Sequence, residues 1–293
     1  APAPPSGPRY AQGVRLRDDA DPVHDHWPPD WDAIARAVAA NPGALWLIGN
    51  EPDVVSQDNC LPQEYADRYH DVHTFIRERD TTARIAAAGI VQPTALRLRW
   101  LDAALAAYQA TYGRPMPVDA WHIHVQILPE VASWGCYRPP GFDGEPGENH
   151  QVNDNASVTL FADKIRQFRA WMRDRGQRDK PLIISEYGVL MPSGCGFLGG
   201  LDVAVGDQMV KDFMRGTFDF CLTATDPALG YPGDGNRLVQ EWAWYSLNNL
   251  MWDSTCKWLE GAYNGALFDW RRNYPGTLTQ FGAHLRDYLA EVP

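Results

Sequence analysis

The feature that most constrains the fold is a regular alternation of short apolar runs with longer segments of helical periodicity. The most apolar runs, at 44–49, 84–91, 119–128 and 182–187, have the length and the β-type composition of buried strands. A stretch with helical spacing of apolar residues follows each of them along the chain. Such alternation is typical of βα units, which place their strands side by side in a parallel sheet. The sequence therefore predicts an α/β protein.

The number of predicted strands approaches that of a closed barrel. Five strands are predicted from residue 44 onward, and a strand at 10–16 with a helix at 31–40 precedes them. A strand-helix-strand unit needs about 30 residues or more, so the residues before 44 have no room for three strand-helix pairs. We therefore predict a (β/α)8 TIM-type barrel that lacks its first one or two strand-helix units. It is expected to form a single catalytic domain over 10–293, after a flexible segment over 1–9.

The composition restricts the partners of the chain. The 26 basic and 37 acidic residues give a net charge of −11, and an acidic surface repels the phosphates of nucleic acids and of anionic membranes. The longest apolar runs are far shorter than the ~20 residues of a membrane-spanning helix. We therefore expect no nucleic-acid partner, no membrane partner and no cofactor. The Pro-rich segment 1–9 resembles the start of a processed chain, which favours a secreted or cell-surface protein.

Two glutamates stand where predicted strands end. Glu51 lies in Gly-Asn-Glu-Pro-Asp at 49–53, and Glu186 lies in Ile-Ser-Glu-Tyr-Gly at 184–188. The carboxyl ends of parallel strands meet at one edge of a sheet, so both side chains are expected at the same mouth. Two carboxyl groups that face each other across a sugar can hydrolyse a glycosidic bond, one as proton donor and one as nucleophile. The sequence therefore favours a glycoside hydrolase.

With these motifs the chain resembles the clan-A glycoside hydrolases. Members of the clan are retaining enzymes on a (β/α)8 barrel, with the acid/base on strand four and the nucleophile on strand seven. This count agrees if the strand at 45–50 is strand four. Within the clan, Asn-Glu-Pro-Asp followed by a Ser-Gln-Asp-Asn loop is similar to the small endo-β-1,3-glucanases, as are the segments 265–269 and 278–282. The resemblance implies that Glu51 is the acid/base and that Glu186 is the nucleophile.

The resemblance also implies a substrate and the residues that bind it. The expected substrate is a polysaccharide, in particular β-1,3-glucan, cut internally by double displacement. Asn50 is expected to bond the sugar 2-hydroxyl, and a tryptophan that ends the last strand is expected to form the floor of the subsite beside the nucleophile. Aromatic rings offer flat apolar faces to sugars, whereas polar groups on strand six can contact the sugar or orient the nucleophile. The predicted binding residues are Asn50, His124, Gln126, Tyr187, Trp134, Trp242 and Trp244.

Two other interpretations and one hypothesis also follow from the sequence. A non-catalytic glycan-binding or structural protein could keep an aromatic cleft on a degenerate barrel. A metal-dependent barrel hydrolase could use His122 and His124, because alternate residues of a strand point to one face, although our favoured interpretation expects no metal. Cys136 and Cys195 fall in loops at the predicted site edge, and we hypothesise a disulfide between them.

Overall fold

Strands and helices alternate along the chain. The computed structural model describes residues 10–17, 27–131, 135–249, 263–269 and 277–292. The strands in these residues are β1 (Ala11–Val14), β2 (Leu45–Ile48), β3 (Arg84–Ile90), β4 (Ala120–Val125), β5 (Leu182–Tyr187) and β6 (Glu241–Trp244). The helices are α1 (Trp31–Ala40), α2 (Pro62–Arg79), α3 (Ala95–Tyr112), α4 (Val158–Asp174), α5 (Val203–Thr223) and α6 (Gln280–Glu291).

The six strands belong to one sheet, in the order β1-β2-β3-β4-β5-β6. The pairs β1–β2, β2–β3 and β5–β6 are parallel. Consecutive βα units produce this sequential order, because each helix returns the chain to the same end of the sheet. The prediction of an α/β fold is confirmed, and the six strands in the described residues are consistent with part of a (β/α)8 barrel.

The chain divides into two compact units. The first unit consists of 1–90, 99–122 and 139–143, and the second consists of 91–98, 123–138 and 144–293. Strands β1 to β3 therefore belong to the first unit, β5 and β6 belong to the second, and β4 contributes residues to both. Each unit has its own buried aromatic side chains, which are Trp46, Tyr65, Tyr69 and Trp100 in the first and Phe161, Phe168, Tyr187 and Phe213 in the second. The single domain expected over 10–293 stays a prediction.

Capping residues set where the helices begin. A side-chain oxygen just before the helix accepts a hydrogen bond from an N–H of the first turn at four helices, from Asp30 (α1), Ser157 (α4), Asp202 (α5) and Thr279 (α6). Because Asp202 caps α5, this helix begins at Val203. No helix in the described part of the chain is long and apolar enough to cross a membrane.

Two strands are shorter than the sequence predicts. The apolar run 119–128 is a strand only over Ala120–Val125, and Ile127 has a φ of 52°. A left-handed residue turns the chain out of the extended conformation, so the strand ends before it. The sequence also predicts a strand over 238–246, the last of the five from residue 44 onward, and there only Glu241–Trp244 form one.

Candidate active site

The first glutamate of the predicted pair lies in the loop that follows β2, in the first unit. Glu51 is 8% exposed, and its φ of 48° lies in the left-handed region that residues other than glycine seldom adopt. The Glu51 N–H donates to the Gly89 carbonyl at 2.8 Å, and the Glu51 carbonyl accepts from the Val54 N–H at 3.0 Å. Such a backbone costs on the order of 1–3 kcal/mol and is concentrated at functional sites. The conformation therefore supports a functional role for this loop.

The end of β3 is shaped to receive this loop. Gly89 has a φ of 66°, and a Cβ at this position would lie 2.6 Å from the Gly49 carbonyl oxygen and 2.7 Å from His122 Cε1. Only glycine fits there, both for its conformation and for lack of space. The fully buried Tyr65 of α2 accepts a hydrogen bond from the Ala88 N–H at 2.7 Å. Helix α2 thereby supports the strand end whose carbonyl binds Glu51.

Asn50 is held through both its backbone and its side chain. Its N–H donates to Asp58 Oδ2 at 2.7 Å, and its Nδ2 donates to Gln57 Oε1 at 3.3 Å. Both acceptors come from the loop after β2, so this loop folds back on its own start. The contact between Asn50 and a sugar hydroxyl stays a prediction.

The second glutamate lies near the end of β5, in the second unit. Gln126 Nε2 donates to Glu186 Oε1 at 2.8 Å, and His124 Nδ1 lies 3.9 Å from the same oxygen, too far for a hydrogen bond. His124 and Gln126 are 3% and 2% exposed, whereas the Glu186 side chain is 26% exposed. The carboxylate is therefore held by a buried wall and remains open to solvent on another side. The structure brings these three predicted residues together.

The hydrogen bond to Glu186 explains why the side-chain amide of Gln126 adopts an energetically costly orientation. Its Oε1 is buried and has no hydrogen-bond partner in the described ranges of the chain. A buried polar atom without a partner costs about 1–3 kcal/mol. The opposite orientation of the amide would place Oε1 against the carboxylate, where two acceptors repel each other. The orientation of Gln126 is therefore set by Glu186.

The glycine of the second motif is required by a close approach of the backbone. A Cβ at Gly188 would lie 2.2 Å from the Tyr245 carbonyl oxygen. The Tyr245 N–H donates to the Tyr187 carbonyl at 2.7 Å, which brings the two chain segments this close. Any side chain at 188 would separate the ends of β5 and β6 just after Glu186.

Asn155 is a residue of the second unit that the sequence analysis missed. It is 1% exposed, and its Nδ2 donates to the Gln126 carbonyl. Its Oδ1 accepts from the N–H groups of Leu190 at 2.8 Å and Met191 at 3.1 Å. One side chain thus joins the residue that binds Glu186 to the segment that follows Glu186. Nothing in its sequence context separates it from Asn153, two residues earlier in the same polar loop.

The long loop between β4 and α4 is anchored by a buried ion pair. Glu130 and Arg97 are both fully buried, and Arg97 Nε donates to Glu130 Oε1 at 2.7 Å. Glu130 also accepts from Thr94 Oγ1 at 2.7 Å and from the Glu148 N–H at 2.8 Å. A charge pair without exposure needs such additional hydrogen bonds to offset its desolvation. These bonds fix both ends of the loop segment 130–148.

Tyr187 and Trp244, two of the predicted aromatic residues, pack together on the side of the sheet that faces the helices. Tyr187 is fully buried, and its ring packs against Phe161 at 4.9 Å and Trp244 at 5.5 Å between centroids. Trp244 also contacts Phe213 and Phe218 of α5, and its Nε1 donates to the Gly265 carbonyl. Consecutive strand residues point to opposite faces, so Tyr187 faces the helix layer while Glu186 faces away from it.

This placement gives Tyr187 and Trp244 a packing role. Trp242 lies 6.5 Å from the Phe218 ring, near the same cluster, and is half-buried. Contact of these three residues with a sugar stays a prediction. Trp134 lies outside the described residues.

The hypothesised disulfide between Cys136 and Cys195 is wrong. Cys195 is disulfide-bonded, but Cys136 is a buried thiol whose Sγ lies 3.7 Å from the Pro129 carbonyl. The two cysteines follow different strands, and loop position alone does not bring two Sγ atoms within bonding distance.

The two histidines of the His-x-His pair have different surroundings. His122 Nε2 lies 3.4 Å from the Ile48 carbonyl in the first unit, whereas His124 lies beside Glu186 in the second. Their described surroundings therefore differ, and the metal-dependent interpretation stays an alternative.

Comparisons with known proteins identify similar folds. No protein family and no curated protein matches the sequence of this chain. An endo-β-1,3-glucanase of GH128 subgroup I from Amycolatopsis mediterranei, in complex with laminaritriose, is 18% identical with a TM-score of 0.54, over 98% of this chain and 85% of that one. A GH128 subgroup II endo-β-1,3-glucanase from Sorangium cellulosum is 15% identical with a TM-score of 0.52, over 96% and 80%.

A third similar structure has a different mode of action. It is a curdlan-specific exo-β-1,3-glucanase of GH128 subgroup III from Blastomyces gilchristii, in complex with glucose. It is 16% identical with a TM-score of 0.51, over 96% of this chain and 90% of that one. At these identities the similarity is one of fold. The fold of this chain is therefore similar to that of GH128 β-1,3-glucanases, the kind of enzyme that its sequence motifs resemble.

Proposed function

We propose that the protein is a retaining glycoside hydrolase that cuts internal β-glycosidic bonds of a polysaccharide, with β-1,3-glucan as its substrate. The observation that carries the proposal is the setting of Glu186, a partly exposed carboxylate bonded by Gln126 and flanked by His124 at a strand end. A nucleophilic carboxylate needs to be ionised, oriented and reachable, and an amide donor favours its charged form. The similar folds, which belong to β-1,3-glucanases, support the substrate class.

The proposed mechanism is a double displacement. A Glu186 oxygen attacks the anomeric carbon, the glycosidic C–O bond breaks, and Glu51 gives its proton to the departing oxygen. Glu51, now a carboxylate, then takes a proton from a water molecule whose oxygen displaces Glu186 from the anomeric carbon. One glycosidic bond is hydrolysed and both glutamates return to their starting protonation states. The anomeric configuration is retained, and the expected separation of the two carboxyl groups is about 5–5.5 Å.

The proposal assigns the remaining predicted residues to binding. Asn50 bonds the sugar 2-hydroxyl, His124 and Gln126 orient the nucleophile, and Trp134, Trp242 and Trp244 are the candidate aromatic contacts, whereas the buried Tyr187 packs behind the nucleophile. Because a polysaccharide of this kind lies outside the cell that degrades it, we propose a secreted or cell-surface enzyme that needs no cofactor.

The first experiment measures the release of reducing ends from laminarin by the wild-type chain and by Glu186→Gln. We expect turnover by the wild type and its loss in the variant, with no effect of a metal chelator. Loss of activity on chelation would favour the metal-dependent alternative. Binding of laminari-oligosaccharides without any turnover, unchanged in Glu186→Gln, would contradict the proposal and favour a non-catalytic binding protein.

A further inference from the structure

A buried carboxylate in the first unit takes no part in the proposed chemistry. Asp58 is in the loop after β2, seven residues beyond Glu51, and it is fully buried. A carboxylate is seldom fully buried unless other groups pair with it. Its partners therefore indicate what it does.

Three N–H groups donate to this one carboxylate. Its Oδ1 accepts from Arg15 Nε at 2.6 Å, and its Oδ2 accepts from the Leu16 N–H at 2.9 Å and the Asn50 N–H at 2.7 Å. The neighbouring Gln57 Oε1 accepts from Arg15 Nη2 at 3.0 Å and from Asn50 Nδ2 at 3.3 Å. The segment that follows β1 and the loop that follows β2 are therefore joined through Asp58 and Gln57.

These bonds act on the peptide groups around Glu51. Asp58 fixes the N–H of Asn50, the Gly89 carbonyl fixes the N–H of Glu51, and the Glu51 carbonyl is fixed by the Val54 N–H. Three of the four hydrogen-bonding groups of the Asn50 and Glu51 backbone are thus tied to different partners. These bonds hold Glu51 in a left-handed backbone conformation, which is unfavourable for a residue other than glycine.

Stability alone does not account for Asp58. Burial raises the pKa of the Asp58 carboxyl above its ordinary value, and the Arg15 guanidinium and the two backbone N–H groups only partly oppose this rise. A group whose ionised form is disfavoured by the fold reduces stability at neutral pH. Such groups persist where they serve something other than stability.

We propose that Asp58 is the positioning residue of the acid/base: its carboxylate fixes the backbone at Asn50 and thereby the direction of the Glu51 side chain. The role of Glu51 itself rests on the proposed function. Asp58 does not contact the substrate in this proposal, and it acts only through the backbone.

The test compares Asp58→Asn with Asp119→Asn. Asparagine has the shape of aspartate, but all three partners of Asp58 are hydrogen-bond donors. The NH2 group of the asparagine therefore faces a donor and loses at least one of the hydrogen bonds. Asp119 offers a control with similar donors, because its carboxylate also accepts from an arginine, Arg77, and from a backbone N–H, that of Ile85 at 2.8 Å; it lies at the opposite ends of the strands, and its side chain is 41% exposed. We expect kcat on laminarin to fall about 100-fold in Asp58→Asn, as misplacement of a catalytic group by about 1 Å does, and to stay within about twofold of wild type in Asp119→Asn.

A second substrate separates positioning of the acid from general damage. In an aryl β-glycoside with a nitrophenolate leaving group, the leaving group departs without a proton. Cleavage of this substrate therefore depends less on the acid/base. We expect Asp58→Asn to lose at least about tenfold less activity on this substrate than on laminarin. Equal losses on both substrates would assign Asp58 a merely structural role and overturn the proposal.

A third measurement is independent of any activity. Hydrogen exchange of the Asn50 and Glu51 amides is expected to accelerate about tenfold or more in Asp58→Asn and not in Asp119→Asn. If the wild type releases no sugar, the proposed function fails, while the exchange rates still decide whether Asp58 fixes this turn. Exchange at 50 and 51 equal to that of wild type would overturn the proposal.

If Asp58→Asn does not fold, Arg15→Gln takes its place. The Arg15 guanidinium opposes the rise in the Asp58 pKa, so this variant disfavours the carboxylate form of Asp58 and weakens both backbone hydrogen bonds to it; the Arg15 side chain is itself 31% exposed. We expect the same effects on kcat and on amide exchange as in Asp58→Asn, each of them smaller. Wild-type exchange at 50 and 51 and wild-type kcat in Arg15→Gln would overturn the proposal.

Discussion

In the first unit a charged group, the buried Asp58 carboxylate, binds the backbone beside Glu51, whereas in the second unit two neutral amides, Gln126 and Asn155, hold Glu186 and the segment after it. The Asp58 carboxylate accepts a hydrogen bond from the backbone N–H of Asn50, the residue before Glu51. The neutral side chain of Gln126 donates directly to its glutamate.

This difference follows from what each glutamate does in the proposed mechanism. A nucleophile reacts as a carboxylate, and a donated hydrogen bond from a neutral amide favours that form and fixes its direction. A proton donor has to carry its proton until the bond breaks and to direct it at the departing oxygen, so its backbone has to be fixed. The comparison teaches that Asp58 acts on the backbone beside one glutamate, whereas Gln126 acts on the carboxylate of the other.

The largest expected effect distinguishes the two glutamates directly. Removal of the nucleophile in Glu186→Ala is expected to reduce kcat by roughly 10⁴- to 10⁶-fold, and removal of the acid/base in Glu51→Ala by roughly 10²- to 10⁴-fold. Azide, supplied with an activated aryl β-glycoside, replaces the missing carboxylate in each case. The Glu186 variant should yield the α-glycosyl azide and the Glu51 variant the β-glycosyl azide, as identified by NMR. The same anomer from both variants would contradict the assignment of roles.

A smaller effect concerns the amide that orients the nucleophile. In Gln126→Leu the hydrogen bond to Glu186 is lost, and bonds to charged groups contribute about 1.5–3 kcal/mol, so kcat should fall on the order of 10- to 100-fold. The matched control is Gln92→Leu, because Gln92 is also buried but its side chain bonds the Leu128 backbone, at 2.8 and 2.7 Å, and no glutamate among the described residues. The measurement is kcat at equal folded fraction, judged by circular dichroism. Equal losses in both variants would mean that Gln126 has no specific role.

The smallest effect is the pH dependence of stability, which should differ in sign between two carboxylates. For Asp58, whose pKa is raised by burial, the stabilising contribution is present below the unfolded value of 3.8 and is lost as the pH rises through the folded value. Burial alone would raise the pKa of Glu148, but hydrogen bonds from His150 and Lys164 lower it, so its contribution is present above 4.5 and is lost as the pH falls through the folded value.

Urea unfolding between about pH 3 and pH 7 measures both contributions. Relative to Asp58→Asn, the wild type should lose free energy of unfolding as the pH rises, and relative to Glu148→Gln it should lose it as the pH falls. For Glu148 the change in the free energy of unfolding is expected to stay below about 1 kcal/mol, because its side chain is 35% exposed and solvent screens its ion pair. Slopes of the same sign for the two variants would contradict the comparison.

Much of the fold followed from local patterns. The order of strands and helices, the starts of β3 and β5 and the positions of Glu51 and Glu186 at strand ends were all predictable, because periodicity and strand-end motifs are properties of a few neighbouring residues. The end of β4 was not predicted, since the apolar run continues to residue 128 while the backbone turns at Ile127. Composition does not record a positive φ.

The sequence by itself determined the fold class, the two candidate glutamates and the kind of enzyme that the motifs resemble. Only the tertiary structure decided which side chains serve those glutamates. Gln126 and Glu186 are separated by 60 residues, and Asp58 binds Leu16 across 42, so no local pattern shows either contact. It also placed Tyr187 and Trp244 in the helix-packing layer and Cys136 among the buried thiols. The physical reason is that hydrogen bonds, ring packing and disulfides depend on distance and direction in space, which are fixed only when the strands have paired and the helices have packed.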